Sequence, residues 1–233
     1  MLEVVEVTRR VLVPRAPSVE ELPTEDGEPL ESNWHRIQIN LLVDVTHQLW
    51  PERNDYFVGG NMFVYYSAHQ IRERDYRGPD FFVVLDVPGG DRKALVAWEE
   101  GGRLPDIIIE LLSPTTAEAD LLSKKQLYER VFRTSNYFAY DPDTERLWGW
   151  HLNKQYAPLQ PNERGWLWCE TLQVWIGSWT GEYEKVPSTW VRFYRPDGSL
   201  VPTAAEAEAT GRRAAQAEVE RLQAELTRLR RAG

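Results

Sequence analysis

The sequence predicts a mixed α/β fold of the α+β kind, with a central sheet that has helices on its faces. Apolar residues first repeat with helical spacing over residues 34–49. Short runs of β-branched and aromatic residues, bounded by glycine and proline, come next. A second helical stretch, ending near Phe132, separates these runs from another set of strands. The order helix, strands, helix, strands is typical of a sheet flanked by helices.

Residues 1–26 predict an irregular N-terminal arm, in which the alternating stretch Leu2–Val7 is a candidate edge strand and three prolines follow. A helix is predicted to begin at Ser32, whose hydroxyl suits a helix start. The apolar residues of that helix fall on one face, at positions 37, 41, 42, 45 and 49. Pro51 is expected to end it.

Several strands are predicted between the two helices, and Gly59-Gly60 is expected to form a turn between the first two. They cover Tyr56–Val58, Asn61–Tyr66, Phe81–Val87, Leu95–Trp98 and Ile107–Leu112. The last of these is the run richest in β-branched residues, which favour strands.

The second helix is predicted to follow the loop Ser113–Thr116, because Thr116 suits a helix cap and Glu118 and Asp120 suit the first turns. Three later segments suggest antiparallel strands, namely Tyr137–Tyr140, Arg146–Leu152 and Trp166–Cys169. Residues 27–202 are therefore expected to form one domain.

The last segment, residues 203–233, differs in kind because it has no aromatic residue and no proline. Five apolar residues are spaced 4, 3, 4 and 3 apart, as in the heptad of a coiled coil, namely Ala215, Val219, Leu222, Leu226 and Leu229. Such a coiled-coil-like helix either packs on its own domain or pairs with another chain.

Composition excludes several classes of function. A net charge of −9 argues against a protein that is held to polyphosphates by bulk positive charge. The single cysteine, Cys169, excludes intrachain disulfides and a cysteine-based zinc cage. No apolar run approaches the roughly 20 residues of a membrane span, and the start lacks a signal-peptide core. A cytoplasmic location is expected.

Glu110 is the unusual residue of the predicted strands, because it follows three isoleucines and precedes two leucines. A carboxylate there must lie at the sheet rim, be paired, bind a metal or have a raised pKa. Asp106 shares its strand face. Downstream, Asp120, Lys124 and Tyr128 lie along one helical stripe. Lys124 is therefore expected either to pair with Asp120 or to point back at Glu110.

A series of motifs in the same order is found in a known family. They are Gly59–Tyr66, Pro79-Asp80, Pro105–Thr116, Asp120-Leu121 with Lys124 and Tyr128, and Tyr137–Pro142. Gly27-Glu28, followed by Glu31 and His35, also matches. Over about residues 25–190 the chain thus resembles the Uma2 family of endonucleases, in the PD-(D/E)XK nuclease superfamily.

The resemblance implies a restriction-endonuclease-like core and a carboxylate site for Mg²⁺ or Mn²⁺. By position, Asp80 and Glu110 match the two acids of the superfamily, and the carbonyl of Leu111 would complete the protein ligands. Asp106 stands only four residues before Glu110, too close for the usual spacing of the two acids. It is a supporting candidate, together with Glu31.

The sequence departs from the superfamily pattern two residues after Glu110, where Leu112 stands in place of the usual lysine. The resemblance suggests that the lysine has moved to the following helix as Lys124. This requires the intervening loop to fold that helix back against the strand. Without that arrangement, the site would bind metal and cleave poorly or not at all.

Other polar residues have two interpretations each. His35 is a candidate phosphate contact or general acid–base, or else a polar residue of the first helix. The arginines Arg72, Arg74 and Arg77 are candidate nucleic-acid contacts, or else part of a solvated loop. The seven tryptophans between Trp148 and Trp190 either stack bases or pack on the sheet.

The sequence therefore predicts a metal-dependent endonuclease that hydrolyses DNA phosphodiester bonds, with Asp80, Glu110 and Lys124 as its catalytic residues. The alternative is a nuclease-fold protein that cleaves weakly and serves as a binding or scaffold protein through its C-terminal helix. DNA is the expected substrate, and a homodimer or a partner protein is expected through residues 203–232.

Overall fold

The computed structural model of the chain describes residues 16–22, 32–67, 76–113 and 120–232. The helices are α1 (Asn33–His47), α2 (the consecutive segments Asp120–Lys124, Lys125–Leu127 and Tyr128–Phe132) and α3 (Ala204–Ala232), with a 3₁₀ turn at Val19–Glu21. The strands are β1 (Tyr56–Gly60), β2 (Val64–Tyr65), β3 (Tyr76–Arg77), β4 (Phe81–Leu85), β5 (Leu95–Val96), β6 (Ile107–Leu111), β7 (Asn136–Asp141), β8 (Arg146–Leu152), β9 (Tyr156–Pro158), β10 (Leu167–Cys169), β11 (Val174–Tyr183) and β12 (Val186–Tyr194).

The central sheet is mixed and has six strands in the order β1-β4-β6-β7-β8-β9. Strands β6 and β7 run parallel, and the other neighbouring pairs are antiparallel. Two three-stranded sheets, β10-β11-β12 and β3-β2-β5, are added to it. The predicted fold, a mixed sheet flanked by helices with β-rich additions, is confirmed.

The two faces of the central sheet carry different helices, because strand side chains alternate between faces. Ile107 and Ile109 of β6 pack with apolar residues of α1. Ile108, from the same strand, packs with Tyr128 and Phe132 of α2. Strand β6 is therefore buried between two helices, which explains its unbroken apolar character.

Helix α1 is predicted correctly to within two residues at each end. The Ser32 hydroxyl accepts a hydrogen bond from the backbone N–H of His35, which satisfies a donor that the first turn leaves unpaired. The apolar positions Ile37, Leu41, Leu42 and Val45 are all essentially buried, as their spacing predicts.

Helix α2 ends at Phe132, as predicted, but most of it is π-helical. Its first and last segments have i→i+5 hydrogen bonding, which is rare outside short bulges and often occurs at functional sites. Arg133 ends the helix with a φ of 57°. The predicted start near Thr116 lies outside the described residues.

The predicted turn at Gly59-Gly60 is wrong, because β1 continues through both glycines. A Cβ on Gly59 would lie 2.3 Å from the Phe82 ring, and one on Gly60 would lie 2.3 Å from Ile39. These glycines permit close packing rather than a turn, which falls instead at Asn61 with a φ of 47°. The predicted strand after it shortens to β2, which pairs with β3 and β5.

The long hairpin of β11 and β12 is not among the predicted strands. Its two turn residues, Glu184 and Lys185, both have positive φ, as in the two-residue turns that match strand twist. Neither is a residue type that normally signals such a turn. On this hairpin Trp190 is fully buried and packs in the α1 core, so that tryptophan serves packing.

Helix α3 is confirmed, and its first turn is anchored to the hairpin. The Thr203 hydroxyl accepts from the backbone N–H of Glu206, and the Glu206 carboxylate accepts from the backbone N–H of Thr203. The same carboxylate binds the buried guanidinium of Arg192 at 2.8 Å. In the described part of the chain, no helix combines the length and apolarity that a membrane span requires.

Part of the N-terminal arm packs against the small β3-β2-β5 sheet. Leu22 is buried with Phe63 and Tyr65, and the indole N–H of Trp98 donates to the carbonyl of Pro17. The candidate edge strand Leu2–Val7 lies outside the described residues. The division into an arm, a domain over 27–202 and a terminal helix stays a prediction.

Candidate active site

Strand register places Asp80 beside Glu110. Strands β4 and β6 are antiparallel, with Phe81 opposite Ile109. One further step along both strands brings Asp80 opposite Glu110, and directly opposite residues point to the same face of a sheet. Both carboxylates therefore lie on the face that α2 covers.

The Glu110 carboxylate is completely buried, and α2 supplies donors to both of its oxygens. The Tyr128 hydroxyl donates to Oε1 at 2.6 Å, and the Lys124 ammonium donates to Oε2 at 3.2 Å. Lys124 itself keeps about a quarter of its side chain exposed. A buried carboxylate needs such partners, because an unpaired charge in the interior is very costly.

Helix α2 thus lies against the end of β6 and brings Lys124 to Glu110, as the resemblance requires. Lys124 and Tyr128 stand four residues apart, and both reach Glu110, so they share one face of α2 despite its π-helical segments. The side chain of Asp120, the other residue of the predicted stripe, lies outside what the structure describes. Leu112, at the position of the usual lysine, is buried in the α2 core.

The Asp80 carboxylate is fixed by the backbone of β6. Its Oδ2 accepts a hydrogen bond of 2.7 Å from the N–H of Leu111. The residue as a whole is half-buried, yet loss of hydration is the main cause that raises the pKa of its carboxyl well above the usual range. The negative charge of Glu110 raises this pKa further, while Lys124 and the Leu111 N–H oppose the rise.

His35 approaches the same strand end from α1, on the opposite face of the sheet. Its Nε2 donates to the carbonyl of Leu111 at 3.2 Å, and its Nδ1 lies 2.8 Å from the Ser32 hydroxyl. The imidazole is buried. His35 therefore contacts the carbonyl that the resemblance assigns to the metal, and its structural partners are a backbone group and a helix cap.

Asp106 is not brought to the carboxylate pair. It stands at the other end of β6, where its Oδ2 accepts from the N–H of Leu85 at 2.8 Å and lies 3.4 Å from Arg103. These contacts tie β6 to the end of β4. Burial raises the pKa of this carboxyl, and the Leu85 hydrogen bond and Arg103 oppose the rise.

Three further candidates lie outside the described residues, namely Glu31, Arg72 and Arg74. Arg77 is described on β3, where its guanidinium donates to the carbonyl of Tyr76. Contact between these residues and the carboxylate pair stays a prediction.

The donor set suits a hard divalent cation. Asp80 and Glu110 give two carboxylates on one face, and Mg²⁺ typically takes one or two carboxylates with carbonyl, water and phosphate oxygens. Burial first, and the negative charge of Glu110 second, raise the pKa of the Asp80 carboxyl, and a cation bound beside the two carboxylates would oppose both effects. Among residues 16–22, 32–67, 76–113 and 120–232, no cluster of three or more histidine, cysteine or acidic side chains is formed, so the set is two carboxylates and backbone oxygen.

Tyr128 is the site residue that the sequence argument did not select. The helical spacing puts it on the stripe of Lys124 but assigns it no role. Its spacing from Lys124 was the available signal, since residues four apart on a helix meet the same neighbour. That the neighbour is Glu110, 18 residues earlier, depends on how α2 packs against the sheet.

A comparison with protein-family models agrees with the resemblance. The model of the Uma2 family, described as "Putative restriction endonuclease", matches residues 21–178. A crystal structure described as a putative nuclease belonging to DUF820, from Anabaena variabilis, is similar at 14% identity with a TM-score of 0.47. The match covers 67% of this chain and 90% of that one. No curated protein matches the chain.

Proposed function

The chain belongs to the Uma2 family of putative restriction endonucleases, and from this membership we propose a metal-dependent endonuclease that hydrolyses DNA phosphodiester bonds. The family supports a nuclease-like function. The use of a divalent metal and the choice of DNA are the proposal. The observation that carries it is the contact between Lys124 and Glu110, at 3.2 Å, on the sheet face that also presents Asp80.

Each residue of the site has a proposed role. Asp80 and Glu110 hold Mg²⁺ or Mn²⁺, together with the carbonyl of Leu111. The bound metal would supply an activated water and neutralise charge on the phosphate. Lys124, partly exposed beside the pair, orients the water or steadies the phosphate charge. Tyr128 holds Glu110 in position through its hydrogen bond of 2.6 Å.

We propose that Lys124 of α2 replaces the lysine that is missing at position 112. In the superfamily pattern the ammonium group comes from the same strand as the second acid, whereas here Leu112 is buried in the core. Lys124 delivers an ammonium group to the same carboxylate from the neighbouring helix. The groups that the proposed chemistry needs, two carboxylates and an ammonium group, thus lie together between the sheet and α2.

DNA binding is proposed to be local, because the net charge of −9 opposes binding through bulk charge. Lys124 and the predicted contacts Arg72, Arg74 and Arg77 would supply the positive groups. A chain that acts on DNA in this way is proposed to work in the cytoplasm.

A scaffold protein with a weak site is the second candidate function. The observation that favours it is the exposed apolar side of α3, which offers a surface for another protein. The contact between Lys124 and Glu110 favours the nuclease over this alternative.

The test is cleavage of supercoiled plasmid with Mg²⁺ or Mn²⁺ by the full chain. We expect metal-dependent nicking by the wild type. Asp80→Asn and Glu110→Gln are expected to abolish it, because each removes a proposed metal ligand. Lys124→Met is expected to lower the rate by about 10²-fold or more, the usual cost of one group that stabilises charge in the transition state.

Lys125→Met is the matched control, since it removes the same charge from the same helix. Lys125 instead lies over the ring of Trp150, with its Nζ 4.6 Å from the ring centroid. We expect Lys125→Met to keep most of the activity. Equal losses in the two lysine variants would contradict a specific role for Lys124. No cleavage of any DNA by folded wild type would favour the scaffold function.

A further inference from the structure

Most of α3 stands away from the domain with its apolar residues in solvent. The helix has 29 residues, a length of about 43 Å, and every residue described from 210 onward is exposed. Val219, Leu222, Leu226 and Leu229 expose 47, 45, 54 and 63% of their surface. They are four of the six large apolar residues that are exposed in the described part of the chain. An apolar stripe of this size on a free helix calls for a partner.

The stripe has the geometry of a coiled-coil seam. Ala215, Val219, Leu222, Leu226 and Leu229 form the α3 seam, and their 4-3-4-3 spacing puts Val219 and Leu226 at a positions and the others at d positions. Of its two heptads, the one with Val219 at a and Leu222 at d has the pattern typical of two-stranded, parallel coiled coils, whereas the second has leucine at both positions, Leu226 and Leu229. Arg212 occupies the preceding a position and ends the seam on the side of the domain.

The charges beside the seam select the partner and its direction. In this register Glu218 and Glu225 occupy g positions, and Gln223 and Arg230 occupy e positions. Two parallel copies in register would place each Glu225 beside Arg230 of the other copy, and each Glu218 beside its Gln223. Antiparallel copies would bring the glutamate-bearing edges together, and like charges there repel. A second copy of this chain in parallel is therefore the occupant that the charges fit.

We propose that the protein is a homodimer in which the α3 seams of two copies pair in parallel and in register. The pairing residues span 15 positions, about two heptads, which is near the lower limit for a stable coiled coil. The dimer is therefore concentration-dependent. This inference does not depend on whether the protein cleaves DNA.

The test is the mass of the full chain in solution, by sedimentation equilibrium, between about 1 µM and about 300 µM, a range in which mass action separates monomer from dimer. We expect the wild type to rise from 27.1 kDa towards twice that mass. The seam variant Leu222→Lys with Leu226→Lys is expected to stay monomeric. Ala217→Lys with Ala224→Lys adds the same charge on the opposite side of α3, and we expect this control to dimerise like the wild type.

Two further variants test the direction. In parallel pairs Glu225→Lys meets Arg230 of the other copy, so we expect weaker dimerisation, which the charge swap Glu225→Lys with Arg230→Glu restores. In antiparallel pairs Glu225→Lys would strengthen dimerisation, and that result would overturn the proposed direction. A wild type that stays at 27.1 kDa throughout, or a seam variant that dimerises normally, would overturn the dimer itself.

Discussion

The side chain of Glu110 links strand β6 to helix α2. Its carboxylate has no exposed surface, and among the described residues Lys124 and Tyr128 of α2 donate to it. Charge-assisted hydrogen bonds are about twice as strong as neutral ones, and they offset the cost of burying the carboxylate. The same contacts therefore hold α2 on the sheet and fix the direction of the acid.

Tyr128→Phe is expected to destabilise the protein. It deletes the hydroxyl that donates to Glu110 at 2.6 Å and leaves one carboxylate oxygen without that donor. Hydrogen bonds to charged groups contribute about 1.5–3 kcal/mol, so the free energy of unfolding in urea should fall by about that amount. Tyr156→Phe is the control, because Tyr156 donates to the carbonyl of Thr134, a neutral acceptor. A loss for Tyr128→Phe no larger than for the control would contradict the importance of the Glu110 contact.

Asp80→Asn is expected to stabilise the metal-free protein at neutral pH. Folding raises the pKa of the Asp80 carboxyl above its usual 3.8, chiefly because burial removes hydration and then because Glu110 is negative. Between the two pKa values the folded state binds more protons than the unfolded state, so this carboxyl makes stability fall as pH rises. Asparagine removes that loss and can still accept from the Leu111 N–H.

The measurement is thermal unfolding of wild type and Asp80→Asn in a chelating buffer at several pH values. We expect the gain in melting temperature to be larger at pH 8 than at pH 5. The gain should shrink towards pH 3.8 and vanish below it, because the wild-type carboxyl is then protonated in both states. A variant that is less stable than the wild type at every pH would show that Asp80 is held by favourable contacts instead.

At the residue scale, the sequence could indicate a site residue only where a local pattern, such as the neighbours of a residue or the helical spacing of a pair, marked it. Glu110 was unusual for its apolar neighbours, and Lys124 and Tyr128 share a stripe four residues apart. The contact of His35 with the Leu111 carbonyl joins residues 76 positions apart, and no local pattern encodes it. The roles of Asp80, Glu110 and Lys124 in catalysis remain predictions for the cleavage assay to decide.

At the element scale, strands were easier to place than the turns between them. Strand β6 was clear from its β-branched run, whereas Gly59-Gly60 carries the usual turn signal inside strand β1. What distinguishes these glycines is the ring of Phe82 and the side chain of Ile39 packed against them. The Glu184-Lys185 turn shows the converse, a tight turn built from residues that rarely signal one.

Gly59→Ala is expected to destabilise the fold, because its Cβ would lie 2.3 Å from the Phe82 ring. Overpacking of this kind typically costs about 1–3 kcal/mol. Gly211→Ala is the matched change, in exposed α3 with nothing within 4 Å of the added carbon, and should favour the helix by about 0.5–1 kcal/mol. Urea unfolding measures the first change, and helical circular dichroism measures the second. A free energy of unfolding for Gly59→Ala that does not fall below that of the wild type would contradict the close approach at Gly59.

At the scale of the whole molecule, the candidate site lies where several parts of the fold meet. The carboxylates lie in β6 and just before β4, and α2 supplies the lysine. His35 of α1 contacts the Leu111 carbonyl of β6 from the opposite face of the sheet. A ligand held by the two carboxylates would contact strands β4 and β6 of the central sheet and, on the same face, α2. Binding there should therefore stabilise the domain as a unit.

Added Mg²⁺ or Mn²⁺ is expected to raise the melting temperature of the wild type. At about ten times the dissociation constant, binding adds about 1.4 kcal/mol, or about 3–6 °C for a chain of this size. Glu110→Gln should show no rise, because a ligand is lost, whereas Asp91→Asn, an exposed acid, should respond like the wild type. A rise that persists in Glu110→Gln would place the metal elsewhere.

The burial of Leu112 determines which substitutions the chain can accept at positions 112 and 124. In the pattern of the superfamily that the chain resembles, strand position 112 carries the lysine of the reaction; here Leu112 packs in the core, and in the proposed function the ammonium group comes from Lys124 of α2. The proposed function thus assigns core packing to position 112 and the reaction to position 124. Randomising position 112 should therefore return a range of apolar side chains of similar volume, set by folding alone. Randomising position 124 should return lysine almost exclusively among active variants. Comparison of the residues recovered at the two positions would therefore show which of them takes part in the reaction.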